Sequence, residues 1–224
     1  MSSETTVTIA PVYRAVMALA RPVVRWWGRL DVIGEQYLPT SGPTLLIGNH
    51  DSQWDPVVIG IAGLRRAQIR ALAKSSLWKS RPVAWVLDGM GQIPITRGRA
   101  DLEALDAAIR ALQAGGCIGI FPEGTVSNGR PLRVHSGAGR LALSVPGTQV
   151  VAAAVTGAVD IVRFPKRPHI RVEFFEPAAG QPQPGESAIA VTRRVVAEIR
   201  ERAPHAVGGR TKRAARSRRD LAEE

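Results

Sequence analysis

Hydrophobic positions along the chain change period several times. Residues 44–48, 68–73, 92–95, 117–121, 149–155 and 170–175 are short apolar runs bounded by Gly, Pro or polar residues, the pattern of strands. Between them apolar positions recur at helical spacing. The clearest helix spans 101–114, where Leu102, Leu105, Ile109 and Leu112 form a stripe, Asp101 stands at the capping position and Gly115-Gly116 supplies a stop. After a Pro/Gly-rich connection at 177–185, Ile189, Val195, Val196 and Ile199 resume the helical period and predict a closing helix rather than a second domain. Strands alternating with helices predict a single α/β domain with a largely parallel or mixed central sheet flanked by helices.

The segment 11–30 is different in kind. Arg14, Arg21, Arg25 and Arg29 fall within an arc of roughly 80° at helical periodicity, while Val12, Val16, Leu19, Val23 and Trp26 mostly point elsewhere. Two readings fit this basic amphipathic segment. One is a surface helix packed on the domain, its pattern interrupted at Pro22. The other is an interfacial helix with Trp26 and Trp27 at headgroup level, where each arginine near anionic lipid adds about 1 kcal/mol. The organisation expected is a basic amphipathic helix over 1–29, a globular domain over 30–207 and a disordered basic tail over 208–224.

Composition narrows the partners. At 224 residues and 45% hydrophobic, the chain supports one sizeable core. Its 30 basic residues against 19 acidic give +11, and only four are lysines, so arginine carries the charge. The tail contributes +3, which leaves the rest of the chain strongly basic. Nucleic acid, anionic lipid and acidic cofactors are the partners such a charge favours, and composition does not choose among them. Cys117, the single cysteine, excludes an internal disulfide and any multi-cysteine zinc site, and fits a reducing compartment. The first residues lack a secretory pattern, and no apolar run approaches the roughly 18 residues of a transmembrane helix, so any membrane contact is expected at the surface.

Three loops carry candidate chemistry. After the first long strand the chain reads Asn49-His50-Asp51-Ser52-Gln53-Trp54-Asp55-Pro56, which sets a histidine and a carboxylate at the carboxyl end of a strand, where ligand sites of α/β sheets lie. An imidazole titrating near about 6.5 accepts a proton from a hydroxyl, and a carboxylate on its other nitrogen fixes the tautomer. Asp55 before Pro56 also fits a simple helix cap, and His50, Asp51 and Asp55 fit a metal site. Phe121-Pro122-Glu123-Gly124-Thr125 follows the strand at 117–120. Gly91-Gln92-Ile93-Pro94-Ile95-Thr96-Arg97 ends on an arginine suited to bidentate phosphate contact or, equally, to a surface ion pair with Asp101. Glu123 fits a structural hydrogen bond to a loop as well as a ligand contact.

In this order and at these separations, His50-x4-Asp55, Gly91 through Arg97 and Phe121 through Thr125 resemble the glycerolipid acyltransferases typified by 1-acyl-sn-glycerol-3-phosphate acyltransferase. Gly34-Glu35, Leu38-Pro39 and Lys74 fit as well, and the resemblance runs from Leu30 to Phe175. It implies a glycerol-3-phosphate acyltransferase-like fold, His50 as general base on an acceptor hydroxyl and Asp55 as its orienting partner. It further implies Arg97 on the acceptor phosphate, Glu123, Gly124 and Thr125 shaping the acceptor site, and Lys74 as a further binding residue. The expected donor is a thioester of coenzyme A or acyl carrier protein, used as cosubstrate with no other cofactor and no metal. The expected acceptor is a lysophospholipid, most simply the sn-2 hydroxyl of lysophosphatidic acid, met at the cytoplasmic face of an anionic membrane, with no specific nucleic acid.

Several positions depart from the family pattern. Val126 stands where an arginine often adds a phosphate contact. His135-Ser136 precede Gly137 where the family often has lysine, with Arg133, Arg140 and Lys74 as candidate substitutes, and Ala152 stands where a proline is usual, which bears on acyl-chain packing. Trp54 and Trp78 are candidates for an acyl groove or for core. A basic protein that binds nucleic acid or membrane without catalysis is the reading from a different class, motivated by the tail.

Overall fold

The computed structural model of the chain describes residues 9–96, 101–165 and 167–207. Arg97 and the basic tail 208–224 lie outside the described residues, so the expectations placed on them are not addressed by the fold.

Seven strands form one sheet: β1 (Asp31–Ile33), β2 (Thr44–Gly48), β3 (Ile69–Lys74), β4 (Ile93–Ile95), β5 (Cys117–Ile120), β6 (Gln149–Thr156) and β7 (Arg171–Phe175). Their order is β1-β7-β6-β2-β5-β3-β4. Every pair is parallel except β6 with β7, so the sheet is mixed. Because β1 and β7 run opposite to the rest, their amino ends lie at the edge where β2, β5 and β6 end. β1 is the strand absent from the sequence reading; three residues are too few to display a period.

Helices cover both faces, which is why β6 reads as an unbroken apolar run. Val151, Ala153 and Val155 pack beneath α1 (Pro11–Arg21) and α2 (Asp55–Ala62). Val150, Ala152 and Ala154 pack beneath α4 (Leu102–Gln113), α5 (Gly137–Ser144) and α6 (Ala188–Arg202), while α3 (Arg81–Gly89) lies between β3 and β4. Asp101 caps α4 as expected, accepting the Ala104 N–H at 3.0 Å. α5 and α6 touch backbone to backbone: a Cβ on Gly139 would lie 1.8 Å from the Ala188 carbonyl oxygen, and Thr192 Oγ1 accepts the Gly139 N–H at 2.9 Å. That contact fixes the depth at which α6 sits against the domain.

The N-terminal segment packs on the domain through Tyr13, Met17 and Val24, all buried. Its close approach uses Gly60 of α2 and Gly89 of α3, where an added Cβ would meet Met17 or Val12 at 2.8 Å. The helix does not break at Pro22. It continues as a wider π-helical turn over Pro22–Trp27, which accommodates a residue with no N–H and a bulky ring. Arg14, Arg21, Arg25 and Arg29 remain exposed, as do Leu19 (81%) and Trp26 (80%). Trp27 differs from the expectation of a headgroup contact. Its indole N–H donates to the Ile161 carbonyl at 3.0 Å and its ring stacks on Phe164 at 5.4 Å, which makes it a packing anchor.

Candidate active site

β2 is buried along its whole length, and the loop that leaves it is held rather than free. The Asn49 side chain pairs with the backbone of Val155 on β6, donating to its carbonyl at 2.9 Å and accepting its N–H at 2.8 Å. The next residue, His50, is buried. Its Nδ1 lies 3.3 Å from Oδ2 of Asp55, and its ring stacks on Phe121 with centroids 4.5 Å apart. Nε2 has no hydrogen-bond partner among the described residues.

Asp55 is the first residue of α2 and 1% exposed. Its carboxylate turns back from the helix, and Oδ2 accepts the N–H groups of Asp51 and Ser52 at 2.7 Å each. It therefore closes the loop that carries His50 and does not cap the helix. The same bonds engage two N–H groups near the helix start that could otherwise serve a developing oxyanion, and Ser52 Oγ engages a third, that of Trp54, at 3.1 Å. Burial pushes the Asp55 carboxyl above the usual range, opposed by its bonds to His50 and Ser52. An ionised Asp55 beside His50 favours the protonated imidazole as it forms.

The loop after β5 meets this loop from the other side. Glu123 is buried, and its carboxylate faces inward: Oε2 accepts the His50 N–H at 3.1 Å, and Oε1 accepts Arg200 Nε at 2.9 Å. Both oxygens are engaged by the protein, and Glu123 also lines the cleft described below. Gly124 adopts φ +70°, which the tight turn requires, and its N–H bonds the Phe121 carbonyl at 3.0 Å. Thr125 is exposed. Ser127 donates its N–H to the His50 carbonyl at 2.7 Å and its hydroxyl to Asp51 Oδ1. Asp51 is held by Arg200 at 2.7 Å and by Asn49 at 2.9 Å, facing away from His50. Among the described residues no three His, Cys, Asp or Glu side chains converge as a metal site.

A cleft of about 860 Å³ opens along the carboxyl edge of the sheet; it is bounded by Phe121, and neither His50 nor Asp55 is among its lining residues. Its apolar wall includes Leu72, Ile95, Leu105, Ile120, Leu141 and Ile189; Phe121, the residue stacked on His50, and the loop Pro122 through Thr125 form the near side. Arg133, His135 and Arg140 also line it. Lys74 ends β3 exposed and outside the lining. Trp54 packs against the core, and Trp78 donates to Asp88 at 2.7 Å, so neither tryptophan lines the cleft. Ala152 is buried in β6 between β2 and β7, also away from the cleft.

Arg200 and Ser127 escaped the sequence reading. Arg200 continues the row Thr192, Val196, Arg200, which flanks the apolar stripe of α6; that position marks it as half-buried but says nothing of its partners.

A family model described as Acyltransferase matches residues 29–156. A 1-acyl-sn-glycerol-3-phosphate acyltransferase of Borreliella burgdorferi is 33% identical over 126 residues, covering 55% of this chain and 49% of that protein. One of Bacillus subtilis is 23% identical over 155 residues, covering 69% and 66%. A lyso-ornithine lipid O-acyltransferase of Pseudomonas aeruginosa is 29% identical over 167 residues, covering 69% and 61%. The matches thus span about half to two thirds of these relatives' own length. The fold is that of the 1-acyl-sn-glycerophosphate acyltransferase of Thermotoga maritima, with a TM-score of 0.67 at 18% identity over 85% of this chain and 78% of that one. With the family model matching more than half of the chain and the three ordered motifs inside the matched region, the chain belongs to the acyltransferase family.

Proposed function

We propose that the protein transfers a fatty acyl group from a thioester of coenzyme A or acyl carrier protein to the sn-2 hydroxyl of 1-acyl-sn-glycerol-3-phosphate. The observation that carries this reading is the buried His50–Asp55 pair, with Nε2 unpartnered among the described residues and the ring stacked on Phe121, which lines an apolar cleft of about 860 Å³. The acceptor hydroxyl gives its proton to Nε2 as its oxygen attacks the thioester carbonyl; the tetrahedral intermediate collapses, the C–S bond breaks, and the departing thiolate takes the proton from the imidazolium. The apolar wall suits an acyl chain. Arg97, Arg133 and Arg140 suit phosphate on acceptor or donor. Lys74, exposed at the same sheet edge, is a further candidate for anionic substrate, and Gly124 and Thr125 shape the near rim.

The reading also places the protein as a peripheral enzyme on an anionic membrane at its cytoplasmic face. No helix among the described residues is long and apolar enough to cross a membrane. The amino ends of β1 and β7 share the sheet edge of His50, so the N-terminal helix end with Trp26 lies on the side from which lipid would enter. The same chemistry on another lysolipid is the second reading, favoured by Val126 in place of arginine and by the lyso-ornithine lipid acyltransferase among the relatives.

Release of free coenzyme A from an acyl-CoA panel, with lysophosphatidic acid or lyso-ornithine lipid, tests both. Release stimulated by lysophosphatidic acid and abolished in His50→Ala supports the first reading. Stimulation by lyso-ornithine lipid alone supports the second. Release unaffected by His50→Ala overturns the mechanism.

A further inference from the structure

We propose that Arg200 is a positioning residue for His50, acting from the last turn of α6 through Glu123 and Asp51 rather than on substrate. This rests on the reading of His50 as the base. The path is short and made of hydrogen bonds. Arg200 Nε donates to Glu123 Oε1 at 2.9 Å, with its terminal Nη2 on the same oxygen, and Glu123 Oε2 accepts the His50 N–H at 3.1 Å. Arg200 Nη1 donates to Asp51 Oδ2 at 2.7 Å, Asp51 Oδ1 holds the Ser127 hydroxyl, and the Ser127 N–H holds the His50 carbonyl at 2.7 Å. Both polar groups of the His50 peptide unit are thereby fixed by the neighbouring loop, and Arg200 fixes that loop.

The arrangement needs a cation there. Asp51, Asp55 and Glu123 are three buried carboxylates around one histidine, and Arg200 is bonded to two of them. Unpaired, such charges separate or take up protons. Burial by itself disfavours the Arg200 charge, but Asp51 and Glu123 outweigh it and hold the guanidinium more firmly protonated than a free arginine. The planar fork is what spans two carboxylates on two loops; a lysine ammonium supplies the charge at one point only. The depth of α6, set by the Gly139–Ala188 contact, places the fork at the loops.

Arg200→Ala leaves two buried carboxylates facing each other and is expected to fold poorly, so the test uses two other variants. Arg200→Lys keeps the charge. Asp51→Asn/Glu123→Gln/Arg200→Met removes the three charges together with the fork, so that none is left unpaired there. Arg194→Lys, whose partner Glu186 lies 2.8 Å away on the far side of the helix's start, is the control. The readouts are circular dichroism, kcat and KM for an acyl-CoA, and histidine-selective NMR, in which His50 is one of four histidines and is assigned by its loss in His50→Ala. In folded Arg200→Lys, kcat is expected to fall about tenfold or more with KM within about twofold, and the His50 resonances to move while those of His169 stay. The triple variant is expected to fold and keep the low kcat; full kcat there overturns the proposal. An unmoved His50 signal in Arg200→Lys also overturns it, whatever the rate. A moved His50 signal, in a protein whose wild type turns over no thioester, supports the positioning and sinks the acyl-transfer reading instead.

Discussion

Oδ2 of Asp55 lies 3.3 Å from Nδ1 of His50 and takes the backbone N–H groups of Asp51 and Ser52 at 2.7 Å each. One atom thus sets the tautomer of the ring and the shape of the loop that carries it. Orientation of the ring and closure of the loop rest on the same buried carboxylate.

Asp55→Asn is expected to separate the chemistry from the stability. The amide oxygen can still accept the loop N–H groups, but it carries no charge to favour the imidazolium, so kcat is expected to fall by about 10²- to 10⁴-fold. Stability moves the other way. Burial raises the folded-state pKa of Asp55 above 3.8, so the native state binds more protons than the unfolded chain as pH passes between the two values. Stability from this group therefore falls as pH rises through that window, and the penalty is complete above the folded pKa. Thermal unfolding of both proteins between about pH 4 and pH 7 should show the Asn variant gaining on wild type as pH rises. A difference that is flat with pH, or that reverses, means the bonds from His50 and Ser52 outweigh burial.

Much of this site was legible in the sequence, for reasons the structure makes plain. The period of the apolar positions located six strands, because each is a short apolar run flanked by turn residues; β2 and most of β6 are buried on both faces, while β4 and β7 keep exposed positions. Asp101 was readable as a cap because capping depends on local spacing alone, and His50 with Asp55 because the two stand five residues apart in one loop. The role of Glu123 was not readable. Its partners are the peptide of His50 and the side chain of Arg200, 73 and 77 residues away, and no local pattern encodes such a distance. The continuation of the helix past Pro22 was missed because packing of Tyr13, Met17 and Val24 overrides the local preference of proline.

The cleft predicts a change in chain-length preference. Leu105 projects from α4 into the apolar wall, away from His50 and Asp55. Leu105→Trp is expected to shorten the space for an acyl chain while leaving the catalytic pair intact. Each methylene denied burial costs about 0.8 kcal/mol, roughly a fourfold loss of kcat/KM. Across an acyl-CoA series the longest chains should lose most and the shortest should be unaffected. A uniform loss at every length would place the acyl chain elsewhere.

Leu19 and Trp26 stand seven residues apart in the N-terminal helix, more exposed than any other large apolar side chain among the described residues, with Arg25 and Arg29 nearby in the chain. The helix end is tied to the segment after β6: Arg167 donates to the Trp26 and Trp27 carbonyls, and Trp27 stacks on Phe164, itself 66% exposed. That segment also receives the Ser52 hydroxyl at the Ala158 carbonyl, 3.3 Å away, so hydrogen bonds and ring stacking link the exposed aromatic residues to the loop that carries His50. Because neither side chain packs in the core, Leu19→Ser/Trp26→Ala should leave the unfolding temperature unchanged. Removing two side chains of this size from a lipid interface is expected to weaken binding to anionic vesicles by about tenfold or more, and the loss should be deepened by salt, which screens the arginines. Turnover of a short-chain soluble acceptor should stay at the wild-type rate while turnover of vesicle-borne acceptor falls with binding. Equal vesicle affinity in the two proteins would remove this pair as the docking surface and leave the arginines a role in donor capture alone.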